Sequence, residues 1–187
     1  MRIIAGKFKG RDLTSPADFR VRPTAEHVRG ALLDLLAEDL PGASVLDLFA
    51  GTGALGLEAI SRGARRCDFV ETRPTSLAAL KSNIIKLRLK ERTRVFKKDA
   101  LPFAGQLNAD AYDLVFVDPP YESRMLDRVI DSWMARHFTP VLAVEHARTH
   151  ILPRGALTRT FEDTSVTIYR APRATAATAP ATAAPTE

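Results

Sequence analysis

The chain has one cysteine, Cys67, among 187 residues, and no cluster of Cys and His at zinc-finger spacing. A single thiol excludes an intramolecular disulfide framework. His146 and His150 stand four apart but fall where a strand and a turn are expected, so no metal site is expected. No apolar run approaches the roughly 18 residues of a membrane span, and Met1 to Lys7 lacks the apolar core of a secretory leader. A soluble, cytoplasmic protein is the expectation. Internal repeats are absent, and from Ala171 the chain is little but Ala, Thr and Pro without apolar periodicity, which predicts a flexible tail over 171–187. Acids are missing from the first eleven residues, where Arg2, Lys7, Lys9 and Arg11 stand with Phe8 and Gly10.

Those basic residues are part of a net charge of +5 that is small but unevenly spread. Residues 1–22 read as a basic arm, a hairpin or extended segment that attracts phosphate regardless of sequence. A second block, Lys81 to Lys98, is interrupted only by Glu91 and reads as a solvated helix face and loop. With 45% hydrophobic residues the chain can bury one sizeable core, so 23–170 is expected to be one domain. Pro23-Thr24 opens a helix carrying Val28, Ala31, Leu32, Leu35 and Leu36 at helical spacing. Strands follow at about 44–49, 67–71, 93–97 and 112–117, separated by helical patterns that include Leu77, Leu80, Ile84 and Leu87 on one face. That alternation predicts an α/β fold with a mostly parallel twisted sheet and right-handed crossovers. Val141 to Glu145 adds a strand, and 158–161 with 165–169 brackets Glu162-Asp163-Thr164 as a C-terminal antiparallel hairpin.

Two motifs sit where strands of such a sheet end. Asp118-Pro119-Pro120-Tyr121 follows the run Tyr112 to Val117, and ligands of open α/β sheets bind outside the carboxyl ends of strands. Asp118 and Pro119 each precede a proline, which holds the backbone extended. Prolines donate no N–H, so the segment offers the Asp118 carboxylate and backbone carbonyls as acceptors beside the Tyr121 ring. Acceptors beside an aromatic face suit a planar group bearing an NH2, such as a nucleobase. Upstream, Gly51-Thr52-Gly53-Ala54-Leu55-Gly56 is G-x-G-x-x-G between a strand and a helix, and Glu71 lies twenty residues beyond Gly51 at the end of the next apolar run. The glycines permit a tight turn and close approach of a cofactor, and the acid can accept both hydroxyls of a ribose. On these residues alone the cofactor is a dinucleotide or S-adenosylmethionine.

The ordered set Met1 to Lys7, Gly10-Arg11, Arg22-Pro23-Thr24, Val28-Arg29, Asp47 to Ala59, Ser61 to Ala64, Phe69 to Glu71, Asp99-Ala100 and Asp118 to Tyr121 closely resembles the RsmD family over about residues 1–170. The resemblance implies a Rossmann-like class I S-adenosylmethionine-dependent methyltransferase that modifies N2 of a guanine in small-subunit (16S) ribosomal RNA. It implies that Asp47, Ala50, Gly51 and Gly53 shape the methionine end of the cofactor pocket. Glu71 would hold the ribose, Asp99 and Ala100 would meet the adenine, and Arg22 and Thr24 would close the methionine side. Asp118 and the Pro119 carbonyl would grip the guanine amine while Tyr121 stacks on the base. The partner implied is ribosomal RNA within a ribosomal particle, contacted by the arm, with monomer the default state. Many relatives carry Asn at the position of Asp118, and Gly30 stands where they usually have Glu.

Structural rivals exist for two of these residues: Asp47 could tie the loop backbone, and Asp99 could cap the following helix. Two rival functions also use parts of the pattern. A DNA adenine-N6 methyltransferase would use the same tetrapeptide but usually brings an added recognition domain. A nicotinamide-dependent oxidoreductase would explain the glycine loop and Glu71, yet leaves Asp118 to Tyr121 without purpose.

Overall fold

The computed structural model describes residues 1–16, 26–120 and 124–172. Arg22, Thr24 and Tyr121 lie outside the described residues, as do the predicted helix start at Pro23-Thr24 and positions 173–187 of the tail. The short apolar runs form β1 (Ser44–Asp47), β2 (Arg66–Val70), β3 (Thr93–Phe96) and β4 (Leu114–Val117). Every residue of β1 and β4 is buried, as expected for parallel strands covered on both faces. Helices α1 (Glu26–Leu35), α2 (Ala54–Ser61), α3 (Pro74–Lys86) and α4 (Ala100–Gly105) intervene. Pro74 opens α3 where its missing N–H costs nothing.

The sheet continues through β5 (Val141–Ala147), β6 (Leu157–Thr160) and β7 (Thr164–Arg170) in the order β3-β2-β1-β4-β5-β7-β6. The first five strands are parallel, and β5–β7 and β7–β6 pair antiparallel, which is the expected parallel sheet with a terminal hairpin. One element went unread in the sequence. Helix α5 (Met125–Arg136) buries Leu126, Val129, Ile130 and Trp133, a pattern at helical spacing directly behind the Pro-rich segment. Side chains of α1, α2 and α3 fill one face of the sheet, with Leu32, Leu57 and Leu80 against Val45, Phe69 and Phe116. Residues of α4 and α5 fill the other, with Ala104 and Trp133 against Leu46, Val115 and Leu142. Ala171, the first residue assigned to the tail, still donates its N–H to the Pro140 carbonyl at 2.9 Å.

The N-terminal segment is a hairpin. Ile3 donates to Arg11, Gly10 to Ile3 and Leu13 to Met1, and Gly6–Phe8 form a single 3-10 turn at the bend. Ile3 and Leu13 are buried in the core, so the hairpin is pinned by two apolar residues while Arg2, Lys7, Lys9 and Arg11 stay exposed. Its polar anchor is Glu58 on α2, which accepts the N–H groups of Ile4 and Ala5 at 2.8 Å each. The same carboxylate faces Arg29 Nε at 3.6 Å and Arg62 Nε at 3.2 Å. Arg29 and Glu58 have no exposed side-chain surface, and Arg29 donates to the Arg2 carbonyl at 2.6 Å. Burial lowers the Arg29 pKa while Glu58 pulls it back up. Gly30 backs this contact: a Cβ there would meet Ile4 Cδ1 at 3.6 Å.

Removing one partner of a buried ion pair leaves the other charge uncompensated. Glu58→Gln is therefore expected to lower the unfolding free energy by about 3–5 kcal/mol, read by urea denaturation. A loss of under about 1 kcal/mol, the range of an exposed pair, would mean that Ile3, Leu13 and the Ser61 and Asn83 contacts hold the arm without the ion pair.

Candidate active site

Chain alternation determines which side chains share the carboxyl edge of the sheet. Val45, Phe69, Phe116 and Ala143 all pack on the α1–α3 face, so two residues further on Asp47, Glu71, Asp118 and Glu145 follow on that same face. In the strand order β2-β1-β4-β5 these four carboxylates form a row, Glu71, Asp47, Asp118, Glu145. The row straddles the β1–β4 boundary, where the strand order reverses direction, which is the position at which open α/β sheets bind ligands.

Backbone N–H groups satisfy much of this charge. Glu71 Oε2 accepts from Gly51 N at 2.8 Å, and Oε1 accepts from Thr72 N and Arg73 N at 2.8 Å each. Arg73 Nε adds a contact at 3.7 Å. Glu71 thus ties the glycine loop to the start of α3, and a carboxylate with about four lone-pair sites still has capacity on Oε2. Asp47 accepts from the N–H groups of Phe49 and Gly56, which makes the loop-tying role a real one. Those bonds do not offset its surroundings. Burial first, then the charge of Asp118 and more weakly that of Glu71, push its pKa up to about 7.

Gly51 and Gly53 have distinct reasons to be glycine. Gly51 has φ +53° and its absent Cβ would meet nothing within 4 Å, so the loop leaves open space there. Gly53 has φ +80°, and a Cβ would lie 2.3 Å from Leu80 Cδ1, so that position is closed by packing. Open space over Gly51, flanked by the acids Asp47 and Glu71, fits a cofactor that carries positive charge and a ribose. S-adenosylmethionine, with its sulfonium and ammonium, has both, and the residues present fit it. Asp99 is exposed and caps α4, its Oδ1 accepting from Leu101 N at 2.9 Å, while Ala100 is buried behind it. The capping role foreseen as a rival for Asp99 is therefore filled.

Asp118 is half-buried, Pro119 buried and Pro120 exposed. The two prolines form one wall of a pocket whose other lining residues are Leu126, Glu145, His146, Ala147 and His150. Both histidines are engaged. His146 Nδ1 donates to the Ala147 carbonyl at 3.0 Å and Nε2 meets the Thr167 hydroxyl at 3.0 Å, while His150 Nε2 meets Asp127 at 2.8 Å. Burial holds the His146 pKa down, in keeping with a neutral ring. Cys67 is buried under the loop with its thiol pKa pushed up, first by burial, so it is held protonated.

One residue outside the sequence motifs holds the site in place. Asn83 on α3 accepts from Thr14 N at 2.7 Å and donates to the carbonyls of Thr14 and Thr52 at 3.1 and 3.0 Å. It thereby joins the end of the arm to the glycine loop. The signal for it in the sequence is a polar residue interrupting the apolar face between Leu80 and Ile84. Glu145, buried on β5, also lies outside the motifs; its signal is an acid ending a run of apolar strand residues, as at Asp47 and Asp118.

A family model described as conserved hypothetical protein 95 matches residues 1–163. Ribosomal RNA small subunit methyltransferase D of Escherichia coli K12 is 36% identical over 140 residues, 72% of this chain and 70% of the relative. The chain belongs to the RsmD family. A Bacillus subtilis relative, YlbH, provisionally named an rRNA methyltransferase, is 33% identical over 181 residues and covers 91% of this RsmD-family chain and 98% of its own. A solved structure from Escherichia coli, yhhF, provisionally named a methyltransferase, is 30% identical and superposes with a TM-score of 0.79 over 91% of this chain and 97% of that one. The fold is thus Rossmann-like, with the strand order seen here.

The contrast between the two glycines is testable. Gly51→Ala is expected to cost about 1 kcal/mol of stability through its left-handed φ and to abolish the rise in urea midpoint on adding S-adenosylmethionine. Gly53→Ala adds overpacking against Leu80 and should cost about 2–4 kcal/mol. An unchanged ligand-induced shift in Gly51→Ala would place the cofactor elsewhere.

Asp47 makes stability pH-dependent with a defined sign. Its carboxyl ionises at about 3.8 in the unfolded chain and at about 7 when folded, so the native state binds more protons between those values. Stability contributed by the neutral form is full below about pH 4 and is lost as pH rises through 7. Asp47→Asn should flatten the stability profile across that window; a profile unchanged from the native one would contradict the raised pKa.

Proposed function

We propose that this chain transfers a methyl group from S-adenosylmethionine to the exocyclic N2 amine of a guanine in small-subunit ribosomal RNA. One observation carries the reading: the open space over Gly51 and the Asp118-Pro119-Pro120 segment lie on adjacent strands, β1 and β4, at the reversal of the sheet. A donor and an acceptor bound at those two places meet at the boundary. The names of the relatives, which are small-subunit rRNA methyltransferases, support RNA as the substrate class.

In this reading Asp47, Ala50, Gly51 and Gly53 hold the methionine end, Glu71 the ribose, and Asp99 with Ala100 the adenine. Arg22 and Thr24 close the pocket from the arm. The bound cofactor supplies a methyl group on a sulfonium, already electrophilic. The chain aligns the reactants and excludes water. A guanine amine is a poor nucleophile because its lone pair is delocalised into the ring. Asp118 and the Pro119 carbonyl accept hydrogen bonds from its two N–H groups, favour a pyramidal nitrogen and orient the lone pair for in-line attack on the methyl carbon, the N–C bond forming as the C–S bond breaks. The methylated amine then loses its proton to water or, transiently, to Asp118. Drawing a base from its stack costs a few kcal/mol, and stacking on Tyr121, about 1–3 kcal/mol, offsets much of it. The exposed basic residues of the hairpin contact RNA phosphates, the substrate being the RNA within a ribosomal particle and the enzyme a monomer.

Labelled methyl from S-adenosylmethionine, offered to ribosomal RNA, small subunits and DNA in parallel, should be recovered as N2-methylguanosine from the small-subunit material. Asp118→Ala should slow that transfer at least about a hundredfold while cofactor affinity, followed by calorimetry, is retained. Label on adenine or in DNA would overturn the acceptor. Parallel loss of cofactor binding in Asp118→Ala would overturn the division of roles.

A further inference from the structure

The basic block from Lys81 to Lys98 has no part in the transfer, yet the fold gathers its cations on one side of the molecule. Helix α3 starts after Glu71 at the carboxyl edge of the sheet and ends at the amino edge, where β3 begins. Its outer face exposes Ala78, Lys81, Ser82, Ile85 and Lys86, with no acid among them. Leu87 and Leu89 are buried and hold the next turn to the core, which leaves Arg88 and Lys90 exposed. Arg88 has φ +57°, a conformation in which helices usually end on glycine or asparagine, so its charge is kept there at a conformational cost. Arg94 is the exposed residue of β3, the last strand of the sheet on that side.

Other surface arginines of this chain are paired: Arg62 with Asp34, Arg170 with Asp39 and Arg2 with Glu26. Among the described residues, no ion pair holds Lys81, Lys86, Arg88, Lys90 or Arg94, and Glu91 is the one acid between Lys81 and Lys98. The hairpin lies alongside. Its end is tied to α3 through Thr14 and Asn83, and its bend to the last residue of α2, where Phe8 N donates to Ser61 Oγ at 2.9 Å. Since α2 leads from the glycine loop to the amino edge, the bend with Lys7 and Lys9 sits at the same end of the sheet as Arg88 and Lys90. Arg94 pairs with Asp68, three residues before Glu71, which puts its charge about 10 Å below the carboxyl edge.

Resting on the RNA substrate proposed above, we infer that the outer face of α3, the turn after it and the edge of β3 form, with the hairpin bend, a docking surface for RNA backbone away from the nucleotide being methylated. Unpaired cations with a single acid among them match a run of phosphates, and each phosphate neutralised releases condensed counterions. Ile85, 67% exposed in their midst, offers an apolar contact to a ribose or an unpaired base. The carboxylate row occupies the other end of the sheet and repels phosphate, so the backbone held here and the base held there belong to different parts of one folded RNA. This surface supplies affinity and register, not sequence readout.

Binding of small-subunit rRNA, measured across a salt series, tests the surface. Lys86→Gln, Arg88→Asn and Lys90→Gln together remove three of its cations, while Arg148→Gln, Arg154→Gln and Arg159→Gln remove three exposed cations on and near β6, the opposite edge of the sheet. The first triple should weaken binding by about tenfold or more near 0.1 M salt and lower the log–log salt slope by about 2–3, with S-adenosylmethionine affinity unchanged. The second should do neither. Equal losses in both triples would reduce the effect to net charge, and no loss in either would leave these cations as guards of an edge strand; each result overturns the inference. If the first triple fails to fold, Lys81→Gln with Arg94→Gln serves in its place, with a slope lowered by about 1–2. Methyl transfer is read separately. Native protein that binds rRNA through this surface but methylates another acceptor overturns the function and leaves the surface standing, whereas native protein that does not bind rRNA overturns both.

Discussion

Like charges crowded at the edge of a sheet repel, and this fold meets that constraint with backbone N–H groups. Glu71 takes three such groups and Asp47 two. Each bond to a charged acceptor is stronger than one between neutral groups, and each draws a loop toward the strand end. The glycine loop is therefore shaped from below by the acids before any ligand arrives. The compensation is incomplete at Asp47, whose pKa stays near 7. An acidic floor that its N–H groups offset only in part suits the cationic cofactor proposed above.

The same device holds the hairpin to the body. Glu58 has no surface of its own and spends both oxygens on the arm and on two arginines. Asn83 repeats the logic in neutral form, bonding Thr14 and Thr52 together. The arm is thus continuous with the glycine loop through polar contacts, and its geometry is set by α2 and α3. Of its exposed basic residues Arg2 faces Glu26 at 3.6 Å, while Lys7, Lys9 and Arg11 take no part in these anchors.

Much of this architecture is legible in the sequence because parallel strands buried on both faces read as unbroken apolar runs, and the G-x-G-x-x-G loop marks the one between β1 and α2. Glu71 and Asp118 are visible because each ends such a run. Helix α5 is legible in principle through Leu126, Val129, Ile130 and Trp133, but it begins so soon after two prolines that the turn masks its start. Glu58, Asn83 and Glu145 are harder. Their neighbours lie about 20 to 70 residues away in sequence, so that even where a polar residue interrupts an apolar face or ends an apolar run, nothing local says what it meets. Asp99 shows the reverse case: the local signal of a helix cap is correct, its Oδ1 accepting from Leu101 N.

The separation of charge across the molecule bears on how a base rather than a phosphate reaches the site. Positive charge lies on the exposed hairpin, in Arg2, Lys7, Lys9 and Arg11, and negative charge lies in the row from Glu71 to Glu145. In the proposed function, a nucleic acid drawn to the hairpin by its backbone would have its phosphates repelled by the carboxylates of the site. On that reading only the uncharged part of a nucleotide would go further. Attraction outside and repulsion within would thus act on different parts of the same nucleotide, favouring entry of the base over entry of the phosphate.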